Sequence, residues 1–161
     1  MNSHYKIRDA TANDSKLLIA LISDIFDEYD WVFDAEDEIP DIVYFAQFYK
    51  NESALPKLKV ATTLDGKIVA CAGLKLDNRG VYLSRIYVTK SHRRQGLAKY
   101  LINDLLELAN EQEIRYVHLW TDTLFTDAHK LYERLDFIYT GHIRPLHDAN
   151  GCYEYHYERF L

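Results

Sequence analysis

The hydrophobic period of the chain changes abruptly at one place. Val81 to Val88, VYLSRIYV, is apolar at most positions and rich in β-branched and aromatic residues, as in a strand covered on both faces. After His92-Arg93-Arg94-Gln95 the repeat becomes helical: Leu97, Leu101, Leu105 and Leu108 form one stripe, with Ala98, Ile102, Leu106 and Ala109 beside it. A covered strand passing through a short turn into a long amphipathic helix demands a layered α/β arrangement, because each apolar surface must be buried by the other. Arg85 interrupts the strand and needs a carboxylate or carbonyl partner.

Other elements fall into order around this junction. His4 to Arg8 reads as a first strand, and Asn13 or Asp14 caps a helix through Leu17, Leu18, Leu21, Ile22 and Ile25. A second helix is expected over Asp41 to Lys50. Lys57–Thr63 and Lys67–Leu76 form strands around Asp65-Gly66, a strong hairpin signal, and Asn78-Arg79-Gly80 makes the next turn. Tyr116–Thr121 is a strand, Ala128–Leu135 a helix, and Phe137–Ile143 extended. Tyr153, Tyr155 and Tyr157 then alternate with Glu154, His156 and Glu158 in a final strand. The order predicts one α/β domain over residues 1–161, a mixed sheet of about seven strands flanked by about four helices.

Charge narrows the function. Asp24 to Asp41 holds nine acidic residues and no lysine or arginine within a chain of net charge −6, so the remainder sums to +3. Without an extended basic face, nucleic acid is not an expected partner. The absence of a long apolar run, of a signal-peptide core in MNSHYKIRDA and of any CxxC pattern for Cys71 and Cys152 leads us to expect no membrane, a cytoplasmic location and reduced thiols. The seven histidines form no metal-spaced set, so no metal is expected. His118 reads as structural or surface, Cys71 as core, and His129 as a weak candidate for ligand contact.

The loop HRRQGLAK joins strand to helix with donors in series. Unpaired N–H groups and the helix dipole favour an anion there, Gly96 permits close approach, and Arg93 and Arg94 oppose the dipole unless they hold a negative ligand. A dinucleotide fold needs GxGxxG and a P-loop needs GxxxxGK[ST]; neither is present.

Arg93-Arg94-Gln95-Gly96-Leu97-Ala98, in the pattern [Q/R]-x-x-G-x-[G/A] after a strand ending RIYV, resembles the pyrophosphate loop of the GNAT superfamily of N-acetyltransferases. AHKLYERLDF (Ala128–Phe137) is similar to that family's A-x-x-x-Y-E-x-x-G-F, with Asp136 in place of the glycine. The resemblance implies acetyl-CoA as co-substrate, its pyrophosphate on Arg93, Arg94, Gln95, Gly96, Leu97 and Ala98, and its pantetheine beside Ile86, Tyr87 and Val88, with Ala128 nearby. It further implies that the Val88 N–H polarises the thioester and that Tyr132 protonates the leaving thiolate. Many members carry a glutamate base where this chain has Tyr82.

Glu28, Tyr29, Trp31 and Tyr82 are the candidate acceptor residues, since carboxylates among aromatics suit a cationic amine. The expected activity is acetyl transfer to a small cationic primary amine. Acetylation of a protein or peptide N-terminus, and acyl-CoA binding without turnover, are the alternatives. The tyrosine-rich last strand offers a surface through which a homodimer could form.

Overall fold

In the computed structural model, which describes residues 4–50 and 55–161, the chain forms a seven-stranded mixed sheet. Met1–Ser3, part of the segment read for a leader, lie outside the described residues. The strands are β1 (Tyr5–Asp9), β2 (Lys57–Thr63), β3 (Ile68–Asp77), β4 (Gly80–Val88), β5 (Tyr116–Asp122), β6 (Ile138–Pro145) and β7 (Tyr153–Phe160). Their order across the sheet is β1-β2-β3-β4-β5-β7-β6, and only the β4–β5 pair is parallel. That pair is joined by a crossover through a helix, as parallel neighbours require.

The helices are α1 (Ser15–Asp27), α2 (Ala35–Glu38), α3 (Pro40–Val43), α4 (Phe45–Phe48), α5 (Leu97–Glu111) and α6 (Thr126–Arg134). On one face of the sheet, Leu97, Leu101, Ile102 and Leu105 of α5, with Tyr132 of α6, pack on Val81, Leu83, Val117 and Leu119. On the other, Leu18, Ile22 and Ile25 of α1, with Ile42 and Phe45, cover Leu58, Val60 and Cys71. Leu17, one position off the α1 stripe, stays exposed.

Two expectations are corrected. The single helix over Asp41 to Lys50 is two separate turns, α3 and α4, broken at Tyr44 (φ −103°, ψ 45°). Burial explains the break: Asp41 and Ile42 are drawn under the sheet, Phe45 must face the same core, and Tyr49 returns to hydrogen-bond Asp41 at 2.5 Å. Beyond Leu83 the strand VYLSRIYV loses its β5 neighbour, so Ser84 to Val88 are half-buried rather than fully covered, with Ile86 and Val88 packed at the margin of one core and Tyr87 at the margin of the other. The last strand is interior, paired on both edges with β5 and β6; His156 is as buried as Tyr157, while Tyr153 and Phe160 at its ends are exposed. The two edge strands of the sheet are β1 and β6.

Candidate functional site

The site begins with an irregularity in β4. Opposite β3 the register passes from Cys71↔Tyr87 to Gly73↔Ser84, so Ala72 faces both Arg85 and Ile86. Arg85 takes the extra position in a left-handed conformation (φ 54°), which an L side chain enters at a cost of about 1–2 kcal/mol. Its guanidinium is anchored in return: Nε and Nη2 donate to Asp41 Oδ1 at 3.0 and 2.7 Å. Lys75 reaches Asp41 Oδ2 at 2.5 Å. Burial alone would raise the Asp41 carboxyl, but the charges and hydrogen bonds of Arg85 and Lys75 outweigh it and hold it at about 2. Lys75, buried and beside a second cation, is pushed down to about 8. Gly73 is needed opposite Ser84, since a Cβ there would meet Lys57 O at 3.1 Å and Ser84 Oγ at 3.2 Å.

The bulge bends β4 away from β5. Parallel pairing covers only Val81–Leu83 with Val117–Leu119, and beyond it the two strands splay. Thr89 N donates to Val69 O, so Val69 and Thr89 form a hydrogen-bonded pair and Val88, one residue earlier, turns its N–H and C=O to the open side. Ile86, two residues back, shares that direction. The wedge therefore exposes strand backbone to an incoming extended group.

At its end lies the loop. Arg94 (φ 60°) and Gly96 (φ 81°) are both left-handed, and the backbone N–H groups from Arg94 to Ala98 find no acceptor among the described residues. Successive N–H groups alternating in this way form an anion-holding concavity, here at the start of α5. Gln95 Oε1 accepts from Tyr5 Oη at 2.6 Å, which ties the loop to the first strand. The arginines differ. Arg94 is exposed, with Asp127 at 3.5 Å, and free to swing. Arg93 is turned away from the loop: Nη1 and Nη2 donate to Glu28 at 2.7 and 2.8 Å and Nε to Val88 O at 3.0 Å. Glu28 is thereby a structural partner of Arg93.

Beside the wedge is a cavity of about 570 Å³. Ile86, Tyr87, Tyr132 and Trp31 line it, together with Ser84, Arg85 and six carboxylates: Asp34, Asp37, Glu38, Asp122, Asp148 and Glu154. Burial, reinforced by Asp148, raises Glu38 above the usual carboxylate range. Burial likewise raises Glu154, although Arg144 bonds it at 2.8 and 3.0 Å. Tyr132 is buried at 4% exposure, which raises its phenol and keeps it protonated. The Ser84 hydroxyl is buried without a hydrogen-bond partner.

Tyr29 lies outside the wall and stacks on Trp31 at 4.7 Å. Tyr82 is also outside it, its ring 5.8 Å from His118. Ala128 packs at the margin of the α5-side core, and His129 Nε2–H donates to the Asp122 carbonyl oxygen at 2.9 Å, a contact internal to the fold. His118 is fully buried and joins Asp77 to His156. Asp136 adopts the left-handed cap (φ 61°) that the family pattern gives to glycine, and Phe137 N closes the α6 turn on Tyr132 O. Sequence reading missed Asp41, Glu38, Asp148 and Glu154 as parts of one site; Arg85, flagged for want of a partner, was the signal that led to Asp41.

A family model described as the acetyltransferase (GNAT) family matches residues 20–137. Among curated proteins, the chain is 36% identical over 66 residues to N-acetyltransferase 8 of Homo sapiens, covering 41% of this chain and 29% of that protein. It is 39% identical over 89 residues to N-acetylaspartate synthetase of Xenopus tropicalis, covering 51% and 32%. The matched stretch thus spans only about a third of either relative. A solved acetyltransferase of the GNAT family from Staphylococcus aureus Mu50 superposes with a TM-score of 0.80 at 26% identity, over 98% of this chain and 99% of that one.

Proposed function

The chain belongs to the acetyltransferase (GNAT) family, and from that premise we propose that it moves acetyl from acetyl-CoA directly to the primary amine of a small cationic acceptor. One observation carries the reading: the wedge between β4 and β5 opens onto a cavity whose wall holds both Tyr132 and six carboxylates.

The residues present suit the co-substrate. The unpaired N–H groups of Arg94 to Ala98 would receive the pyrophosphate, with Arg94 able to close over it. The backbone of Ile86 and Val88 would pair with the pantetheine arm. The Val88 N–H then lies where negative charge develops on the thioester oxygen, a position at which a preorganised donor is worth most. As the amine nitrogen forms its bond to the acetyl carbon, the C–S bond breaks, and the Tyr132 phenol supplies the proton that the leaving thiolate takes.

The acceptor must first lose a proton. For a lysine-like amine of pKa ~10.4 this costs about 4 kcal/mol at neutral pH, and for an α-amine near 7.7–8.0 only about 1. Carboxylates around the cavity bind the ammonium form; those that burial has made more basic, Glu38 and Glu154, are the better proton acceptors among them.

Isothermal titration of acetyl-CoA and CoA into the protein and its Arg94→Ala variant tests the donor half. Binding that weakens in the variant supports it, and no binding to the unaltered protein refutes it. An acceptor panel tests the other half: equal turnover of acidic and basic amines would refute the cationic preference.

A further inference from the structure

Two connections far apart in sequence meet at the cavity. Trp31, Val32 and Asp34, between α1 and α2, line one side; His147, Asp148 and Ala149, between β6 and β7, line another. Neither is held by regular secondary structure at this point. They are joined by one side chain. Asn150 Oδ1 accepts from Val32 N at 2.9 Å, and Asn150 Nδ2 donates to Val32 O at 3.0 Å. A carboxamide carries an acceptor oxygen beside a donor nitrogen, so it can satisfy both backbone groups of one residue, and the pairing mimics a rung of sheet between the two loops. It bridges the two loops on one side of the cavity, and an acceptor lying across them there would have to break both bonds.

We propose that Asn150 is a specificity-determining clasp, which holds the β6–β7 connection to Val32 as a strap and confines acceptors to compact amines, excluding an amine at the end of a peptide. The inference rests on the acetyl-transfer reading given above. It follows from the two-bond bridge between the loops that line the cavity, since Asn150 does not line the cavity itself. Its role is to position the strap.

Acetylation of 1,4-diaminobutane, free lysine and a lysine-rich tetrapeptide amide with a free N-terminus, each with acetyl-CoA, is compared in the unaltered protein, Asn150→Ala and Asn150→Asp. The Ala variant is expected to raise kcat/KM for the tetrapeptide relative to the compact amines by about tenfold, through KM, with the KM for acetyl-CoA unchanged. Asn150→Asp keeps the acceptor oxygen for Val32 N–H but loses the donor, and is expected to lie between. Loss of hydrogen-exchange protection at the Val32 amide in Asn150→Ala, at an unchanged melting temperature, reports opening of the clasp itself. Unchanged selectivity in Asn150→Ala, or ready acetylation of the tetrapeptide by the unaltered protein, overturns the clasp and leaves acetyl transfer standing. No turnover of any of the three acceptors by the unaltered protein overturns both.

Discussion

Substituting Asp41→Ala tests the foundation of the site. Asp41 is 1% exposed and is the anion to which both Arg85 and Lys75 are bonded, at 2.7 and 2.5 Å. Removing one member of a buried ionic group costs about 3–5 kcal/mol, because the remaining charge stays desolvated and unpaired. Lys75 sets a ceiling of similar size, since discharging an ordinary lysine at pH 7 costs about 4–5 kcal/mol. For a chain of this length each kcal/mol lowers the melting temperature by about 2–4 °C, so a fall of about 6–20 °C is expected by circular dichroism at pH 7. In the variant Lys75 loses its proton in the folded state well before the unfolded chain does. The unfolded state then binds more protons, and the deficit should shrink as pH rises from 7 to 9. Adding Lys75→Met should recover part of the loss by removing one unpaired cation. A fall below about 3 °C, independent of pH, would refute the reasoning and mean that the cluster is hydrated rather than buried.

Tyr132→Phe should lower kcat about 100-fold while leaving acetyl-CoA affinity within a small factor; collapse of affinity in calorimetry would assign Tyr132 to binding. Gly96→Ala forces a side chain into the left-handed region (φ 81°) with its Cβ 3.2 Å from the Tyr100 ring, so acetyl-CoA binding should weaken at least about tenfold by titration. Asp41, held at about 2 against an ordinary 3.8, contributes about 2 kcal/mol that is fully present above pH 3.8 and lost as pH falls through 2, readable in denaturant melts of the unaltered protein and Asp41→Asn. Burial, with the neighbouring charge of His118, pushes His156 down to about 4, so stability should fall as pH drops from about 6.5 to 4; an imidazole titrating near 6.5 by NMR would contradict this.

Much of the site was legible in the order of residues because its chemistry is local. Arg94, Gln95 and Gly96 are contiguous, and the left-handed turn they make follows from one glycine between a strand and an amphipathic helix. The pattern around Tyr132 likewise lies within one short helix. What could not be read was whatever depends on partners from elsewhere. Arg93 looked like a phosphate ligand beside Arg94, yet Glu28, 65 positions away, takes its guanidinium. Tyr82, counted as an acceptor residue from its register, faces His118 because the bulge at Arg85 comes after it and re-aims only the residues beyond.

Sequence by itself determined the period switch at Gly96, the two-sided burial of the sheet's middle, the hairpins at Gly66 and Gly80, and the concentration of negative charge between Asp24 and Asp41. Each follows from side-chain spacing, backbone preference or composition, which act over a few residues. Tertiary structure decided where that charge goes. Asp41 sinks beneath the sheet to hold a strained arginine, while Glu38 meets Asp148 and Glu154 around a cavity that only the splay of β4 from β5 opens. Electrostatic pairing and strand register act through space between distant segments, and so are fixed only once the chain has folded.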